Sequence, residues 1–334
     1  MNRKVTVLGA GTWGTALTIQ LAANGHEVIL FSKLQREIDA LSADRAHIPN
    51  LPGAALPEEV RLTTDLKEAC TGRDIIVCAV ASPFVRSVAN EIHAYIPKGQ
   101  IIVNVAKGIE ESTLMTLTEV IAEENPEAEV AVLSGPSHAE EVSRNVPTAV
   151  VIGTKNQDTA KLIQDTFMND TFRIYISPDV IGIELGGSLK NVIALAAGTV
   201  DGLELGDNTR AALMTRGLAE ISRLGIAMGG QLETFIGLSG MGDLIVTCTS
   251  VHSRNHKAGY LIGKGYTMQQ AMDEVKQVVE GVYSAKAALM LSKKYQVRMP
   301  IVEQICQVLF ENKPAMEALM ELLTRDRAAE ITWK

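Results

Sequence analysis

Aromatic side chains are scarce in this 334-residue chain, which holds 2 Trp, 6 Tyr and 6 Phe. Its cores must therefore rest mainly on Ala, Val, Ile and Leu. Positive charge is also in deficit: 31 Lys and Arg stand against 39 Asp and Glu, a formal charge of −8. That balance argues against a broad nucleic-acid or anionic-membrane surface, and any cations that hold an anionic ligand must be gathered locally. Cysteine is sparse. Cys70, Cys78, Cys248 and Cys306 are widely spread and form no metal-type pair, so no metal is expected and a reduced, cytoplasmic compartment is the simplest reading. The charged start Met-Asn-Arg-Lys has no signal-type apolar segment behind it, because Gly9 to Gly14 interrupts it. No uninterrupted apolar run reaches membrane-spanning length, the nearest being around residues 192–200. A soluble chain without membrane insertion is expected.

What is present is alternation. Short β-branched runs at 4–8, 27–31, 74–80, 101–105, 130–133, 148–152 and 172–176 have the texture of buried strands. Helical apolar patterns lie between them at 15–24, 35–42, 83–94, 114–124 and 157–168. This order predicts an α/β domain with a mostly parallel, doubly wound sheet covered by helices on both faces. After Ser177-Pro178 the strand-like texture stops. Helical patterns at 183–200, 209–228, 269–274, 282–295, 301–311 and 314–323 make the rest all-α. A chain of this length suits two domains, and the composition shift divides it into 1–178 and 179–334.

Gly9, Gly11 and Gly14 form G-x-G-x-x-G between the first strand and the first helix. In a Rossmann-type domain the first glycine permits the tight turn, the second admits a pyrophosphate, and the third lets helix and strand pack closely. The pyrophosphate then sits at a helix N-terminus, where free N–H groups favour negative charge. A plain glycine turn is the bland alternative; the position at the head of a βαβ unit favours the dinucleotide. An acid about 20 residues on would accept from the ribose hydroxyls of NAD. The second strand instead ends in Phe31-Ser32-Lys33. Ser32 and Lys33 suit a 2′-phosphate, so the cofactor is NADP or NAD with NADPH mildly favoured, unless Lys33 is only a solvated surface lysine.

Lys190 is the one charge in the apolar stretch between Glu184 and Asp201. Helical spacing sets Gly186, Gly187, Ile193 and Ala194 beside it. A lysine desolvated there has a depressed pKa and exchanges protons near neutrality, whereas one at a helix flank simply snorkels to solvent. Lys107 follows a strand and precedes Gly108, which places it at the carboxyl edge of the sheet, where open α/β sheets bind ligands. Leu133-Ser134-Gly135-Pro136-Ser137 follows another strand to the same edge. Ser137-His138-Ala139-Glu140 has capping-box form, and the same amides could hold an anion. Asp243 ends a glycine-rich stretch from Gly237, with Thr247 four residues on. Ser253-Arg254-Asn255 is either an ordinary polar loop or a compact donor set with an arginine fork for phosphate.

Together these segments closely resemble the bacterial soluble NAD(P)-dependent glycerol-3-phosphate dehydrogenases. The matching pieces run from Gly9 to about Met299. They are Gly-Ala-Gly-Thr-Trp-Gly-Thr-Ala at 9–16, Lys107-Gly108, Ser134-Gly-Pro-Ser-His-Ala139, Leu185-Gly-Gly-Ser-Leu-Lys-Asn191, Gly240-Met-Gly-Asp243, Ser253-Arg-Asn255 and Val278-Val-Glu-Gly281. The resemblance implies reversible hydride transfer between the nicotinamide and C2 of dihydroxyacetone phosphate, giving sn-glycerol 3-phosphate. It implies Lys190 as the proton donor to the ketone, Lys107 as its electrostatic partner, and Asn191, Asp243 and Thr247 as groups that orient lysines and substrate. It implies substrate binding by Gly135, Ser137, Ser253, Arg254 and Asn255. Cofactor positions would be Gly9, Gly11, Thr12, Trp13, Gly14, Lys107, Ala139, Arg254, Val278 and Glu280, with Lys33 and His47 at the adenosine end. It further implies a homodimer and a role in phospholipid synthesis. Two departures touch the adenosine end. Lys33-Leu34 stands where relatives often have His-Arg, and His47 in His47-Ile48-Pro49-Asn50 replaces the usual aromatic. A lysine-dependent β-hydroxyacid dehydrogenase is the rival enzyme, and a dinucleotide sensor the non-enzymatic alternative.

Overall fold

The computed structural model describes residues 2–46, 48 and 51–326; His47 lies outside the described residues. Eight strands form one sheet: β1 (Lys4–Leu8), β2 (Glu27–Phe31), β3 (Arg61–Thr63), β4 (Ile75–Cys78), β5 (Ile101–Asn104), β6 (Glu129–Ser134), β7 (Thr148–Gly153) and β8 (Phe172–Ser177). Their order is β3-β2-β1-β4-β5-β6-β7-β8. Every neighbouring pair is parallel except β6 and β7. Successive side chains point to opposite faces, so Val5 and Val7 join the core on one side while Leu8 joins the other. Both faces are covered, so residues 5–8 of β1 and all of β4 are buried, Thr6 included.

From β1 the chain first winds outward to β2 and β3, then returns to place β4 on the other side. The reversal opens a crevice at the carboxyl ends of β1 and β4, the place where such sheets bind ligands. β3 and the start of one helix depart from the sequence pattern. β3 is an edge strand of three residues, Arg-Leu-Thr, too short to show periodicity. The expected helix at 114–124 begins only at Leu117, because Leu114 is left-handed at φ 62° and Thr116 with Glu119 forms a capping box.

The second half is helical around one axis, the 23-residue helix Val180–Gly202. Asp179 caps it, accepting from Gly182 N, Gln231 N and Thr234 Oγ1 at 2.9, 2.8 and 2.6 Å. At mean hydropathy 1.4 this helix is long and apolar enough to cross a membrane, more than the run at 192–200 suggests. It is instead the interior of the domain, with almost every residue buried by the helices around it. Against helix Arg254–Gly263 it packs backbone to backbone. A Cβ on Gly198 would lie 2.0 Å from His256 O, and one on Gly259 would lie 2.0 Å from Leu195 O. Gly202 and Gly263 repeat the same contact one turn further on.

Three hydrogen bonds, made by two side chains on neighbouring turns of this helix, tie it to the sheet domain. Ser188 Oγ donates to Gly108 O at 3.0 Å. Glu184 accepts from Thr118 N at 2.9 Å and from the Thr118 hydroxyl. Burial pushes the Glu184 carboxyl up to about 7, against the downward pull of the Thr118 hydrogen bonds.

Candidate active site

At the head of the sheet, β1 turns into the helix Thr12–Ala23. Gly9 has φ +114°, and a Cβ there would meet Ala79 O at 2.7 Å; one on Gly14 would meet Gly9 O at 2.0 Å. These two glycines are demanded by the protein's own packing. Gly11 is different. Its backbone is extended, and a Cβ would meet no protein atom within 4 Å. The open space lies at the start of a 12-residue helix whose first-turn N–H groups have no intrahelical acceptors. Such a cradle fits the pyrophosphate of a dinucleotide. Thr12 and Trp13 open the helix, and Trp13 packs on the core beneath.

Gly9 N donates to Phe31 O at 2.8 Å, so the turn abuts the end of β2. There Ser32 is buried and its hydroxyl donates to Glu37 Oε2 at 2.5 Å. Lys33 points outward, 70% exposed, with Nζ 2.8 Å from Glu91 Oε1. The Lys33 ammonium holds the Glu91 carboxyl below its ordinary range. The end of β2 thus carries a carboxylate as well as a base, although spacing along the sequence set no acid there.

Lys107 follows β5 across a turn shaped by Asn104, whose amide bonds both backbone groups of Ala106. A Cβ on Gly108 would lie 2.5 Å from Ser82 Cβ, so the turn after β4 can press close only against glycine. Lys107 Nζ donates to Asp243 Oδ2 at 2.6 Å and to Gly135 O at 3.2 Å. Lys190 donates to Asp243 Oδ1, and to Thr247 Oγ1 at 2.5 Å. The Lys190 side chain is 7% exposed and that of Asp243 1%, so the lysine does not snorkel. One buried carboxylate therefore serves two ammonium groups, and the cluster is net positive. Burial takes Lys190 down to about 8; Asp243 opposes the shift and the Lys107 charge adds to it.

Two glycines make room for this cluster. A Cβ on Gly186 would lie 2.7 Å from Ser239 O, within the π-helical turn Leu238–Gly242 that leads to Asp243. One on Gly187 would lie 2.6 Å from Ser134 Oγ at the end of β6. Beyond Ser134, Gly135 turns with φ +146°, and Ser137 Oγ donates back to Gly135 O at 2.9 Å. The expected capping box at Ser137 does not form. The short helix Ala139–Val142 has His138 at its N-cap position and no side-chain cap, because the Ser137 hydroxyl is used by the Gly135 carbonyl.

Asn191, one residue past Lys190, accepts from Asn255 Nδ2 at 3.0 Å; Asn255 Oδ1 accepts from Gly281 N at 2.8 Å. Asn191 Nδ2 also reaches Glu280 Oε2 at 3.4 Å, in the segment that follows Val278 and opens helix Glu280–Lys294. The Glu280 carboxyl is raised mainly by burial, against the nearby Arg254 and lysine charges. Ser253 caps helix Arg254–Gly263 by accepting from His256 N at 3.2 Å. Arg254 is half-buried in its first turn and makes no ion pair among the described residues. A cation at the positive end of a helix is disfavoured unless an anion joins it.

The structure thus joins Lys107, Gly135, Lys190, Asp243 and Thr247 by direct hydrogen bonds, with Ser137 bonded to Gly135; Asn191, beside Lys190 in sequence, links to Asn255 and Glu280, and Arg254 precedes Asn255. Gly9 to Gly14 and Lys33 follow the parallel strands β1 and β2, at the carboxyl edge of the same sheet. Glu37, Glu184 and His138 were not singled out by the sequence. His138 bonds Val246 O at 3.5 Å through its ring, and burial together with the Lys190 charge lowers its pKa. The signal for Glu184 was its being a lone acid in an apolar helix; for Glu37 and His138 nothing local distinguishes them.

A glycine-turn cradle on a doubly wound sheet, facing a buried lysine–carboxylate cluster on a helical domain, defines a two-domain, dinucleotide-dependent oxidoreductase. Two family models extend that class to most of the chain. The N-terminal model of NAD-dependent glycerol-3-phosphate dehydrogenase matches residues 4–160, and the C-terminal model matches residues 179–320. The chain is 59% identical to the glycerol-3-phosphate dehydrogenase [NAD(P)+] of Agathobacter rectalis, over 99% of each chain. It is 54% identical to that of Fusobacterium nucleatum, over 98% of each. The crystal structure of glycerol-3-phosphate dehydrogenase from Coxiella burnetii superposes with a TM-score of 0.94 at 38% identity, covering 97% of this chain and 99% of the other. The chain belongs to the NAD-dependent glycerol-3-phosphate dehydrogenase family.

Proposed function

We propose that this chain interconverts dihydroxyacetone phosphate and sn-glycerol 3-phosphate with NAD(H) or NADP(H). The observation that carries the reading is Lys190, enclosed between Asp243 and Thr247 with a pKa near 8. Two of its three N–H bonds are held by those residues, which leaves the third for a substrate oxygen. When bound, the nicotinamide supplies the hydride to C2 of the ketone. Lys190 gives its proton to the oxygen at C2 as the carbonyl becomes an alcohol, and takes it back in oxidation. Lys107 adds positive charge beside the developing alkoxide in a site with little water. Asp243 keeps both ammonium groups in register, and Thr247 orients Lys190.

Gly135, Ser137, Asn191, Ser253 and Asn255 line the substrate, with Arg254 at the phosphate. Cofactor contacts fall to Gly9, Gly11, Thr12, Trp13, Gly14, Ala139, Val278 and Glu280, with Lys33 at the adenosine end. Residues 1–178 serve as the dinucleotide domain and 179–334 as the catalytic one. The same reading assigns a cytoplasmic homodimer that supplies glycerol 3-phosphate for phospholipid synthesis, supported by the family.

The deciding experiment follows nicotinamide absorbance as dihydroxyacetone phosphate is added with NADH or with NADPH. Substrate-dependent oxidation of the reduced cofactor is expected. Turnover of 3-hydroxy acids and not of glycerol 3-phosphate in the reverse assay would overturn the assignment.

A further inference from the structure

We infer that Glu37 and Lys33 are an opposed pair that sets how this chain divides its affinity between the unphosphorylated and the 2′-phosphorylated dinucleotide. This rests on the dehydrogenase reading above. The Gly9–Phe31 hydrogen bond holds the pyrophosphate turn against the end of β2, so the adenosine ribose lies over the residues that follow Phe31. The first of these, Ser32, is buried and faces inward; Leu34 N donates to its oxygen at 3.1 Å. Its own proton goes to Glu37 Oε2. Glu37 stands in the first turn of helix Gln35–Ala43, with its N–H bonded to Leu34 O at 3.0 Å. Its carboxylate is therefore brought back to the strand end from five residues downstream. Among the described residues Oε1 has no protein partner, which leaves lone pairs for ribose hydroxyls and a negative charge against a phosphate.

Lys33 is held differently. Its tie to Glu91 joins two exposed side chains, 70% and 37% accessible, and such surface pairs contribute little. Lys33 can leave Glu91 for a 2′-phosphate, whereas Ser32 fixes Glu37. Arg36, exposed in the same first turn, adds a further positive charge to this helix start. A fixed acid and a mobile base give a site that takes both cofactors, the plain ribose through Glu37 and the phosphorylated one through Lys33.

Calorimetric titration of the full-length protein with NADH and with NADPH, at one ionic strength, separates the two contributions. Glu37→Gln keeps an acceptor for Ser32 and removes the charge; NADPH affinity should rise about tenfold relative to NADH. Lys33→Met should move the ratio the other way by a similar factor, and the double variant should return near the starting ratio. If Glu37→Gln fails to fold, Ser32→Ala reads the same geometry by releasing Glu37, and should weaken NADH more than NADPH. An unchanged ratio in the folded variants, with both dinucleotides still bound, refutes the inference. A wild-type chain that binds neither dinucleotide refutes the dehydrogenase reading instead.

Discussion

Lys107 Nζ stands 2.6 Å from Asp243 Oδ2, an ion pair that joins the turn after β5 to the helical domain. Because the other oxygen of the same carboxylate holds Lys190, the two lysines cannot shift independently. Their mutual repulsion adds to burial in drawing the Lys190 pKa toward neutrality, while the shared anion keeps both in place.

Replacing Lys190 by Ala should leave dinucleotide binding intact, since the glycine turn is held by contacts with Ala79 and Phe31 that do not involve Lys190. Turnover should fall by about 10²–10⁴, the usual worth of a positioned general acid. Dissociation constants by calorimetry and kcat by absorbance separate the two effects; near-normal kcat would remove Lys190 from proton transfer.

The pH dependence should have opposite signs in the two directions. Ketone reduction needs the Lys190 ammonium, so kcat should fall as pH rises through about 8. Alcohol oxidation needs the neutral amine and should gain over the same range. Parallel profiles in both directions would contradict the assignment.

Arg254→Ala should raise KM for dihydroxyacetone phosphate by roughly tenfold to a hundredfold, the worth of a hydrogen-bonded charge pair of about 1.5–3 kcal/mol. Unphosphorylated dihydroxyacetone should be little affected. Equal losses for both substrates would place Arg254 away from the phosphate.

Among the turn glycines, Gly11→Ala should fold with a normal melting temperature and bind NADH much more weakly, because the added methyl meets ligand and not protein. Gly14→Ala should instead destabilise the fold itself, since its Cβ would lie 2.0 Å from Gly9 O. A cold-stable Gly14→Ala protein together with an unfolded Gly11→Ala protein would reverse this division.

Glu184 offers a prediction about stability. Its carboxyl is raised to about 7 in the folded chain from an ordinary 4.5. Between those values the native state binds more protons than the unfolded one, so stability should fall as pH rises and the full penalty applies above 7. Glu184→Gln should therefore stabilise the protein at pH 8 by on the order of 1–3 kcal/mol and flatten its stability between about pH 5 and 7. Chemical denaturation at several pH values measures both; a destabilised variant at pH 8 would show that Thr118 needs the ionised carboxylate.

Strands buried on both faces announce themselves by runs rich in Val and Ile; β1 and β2 were legible to the residue, and β4 and β5 within a residue or two at their ends. Strand direction is not written locally, and the antiparallel pairing of β6 with β7 emerges only from the sheet. Lys190 was visible because one charge in an apolar helix is costly and asks for a reason. What it was bonded to was not visible in the spacing, since Asp243 arrives from 53 residues away, and only the family resemblance pointed to it. Helix Arg254–Gly263 escaped notice because its polar N-terminal residues and two glycines resemble a loop; the glycines are there for contact with the central helix. Glu37 escaped for a related reason. It reaches the strand end by folding back from a helix, so counting residues from the glycine turn passes over it.

The glycine contacts between helices Val180–Gly202 and Arg254–Gly263 have a consequence for which substrates fit. Lys190 rides on one helix and Arg254 on the other, and backbones in van der Waals contact leave the two almost no freedom to slide. On the proposed roles, the span from the Lys190 ammonium to the Arg254 guanidinium is thereby a fixed gauge. A sugar phosphate one carbon longer would then have to buckle or lift its carbonyl off the lysine, and chain length would be measured by the closeness of two helices.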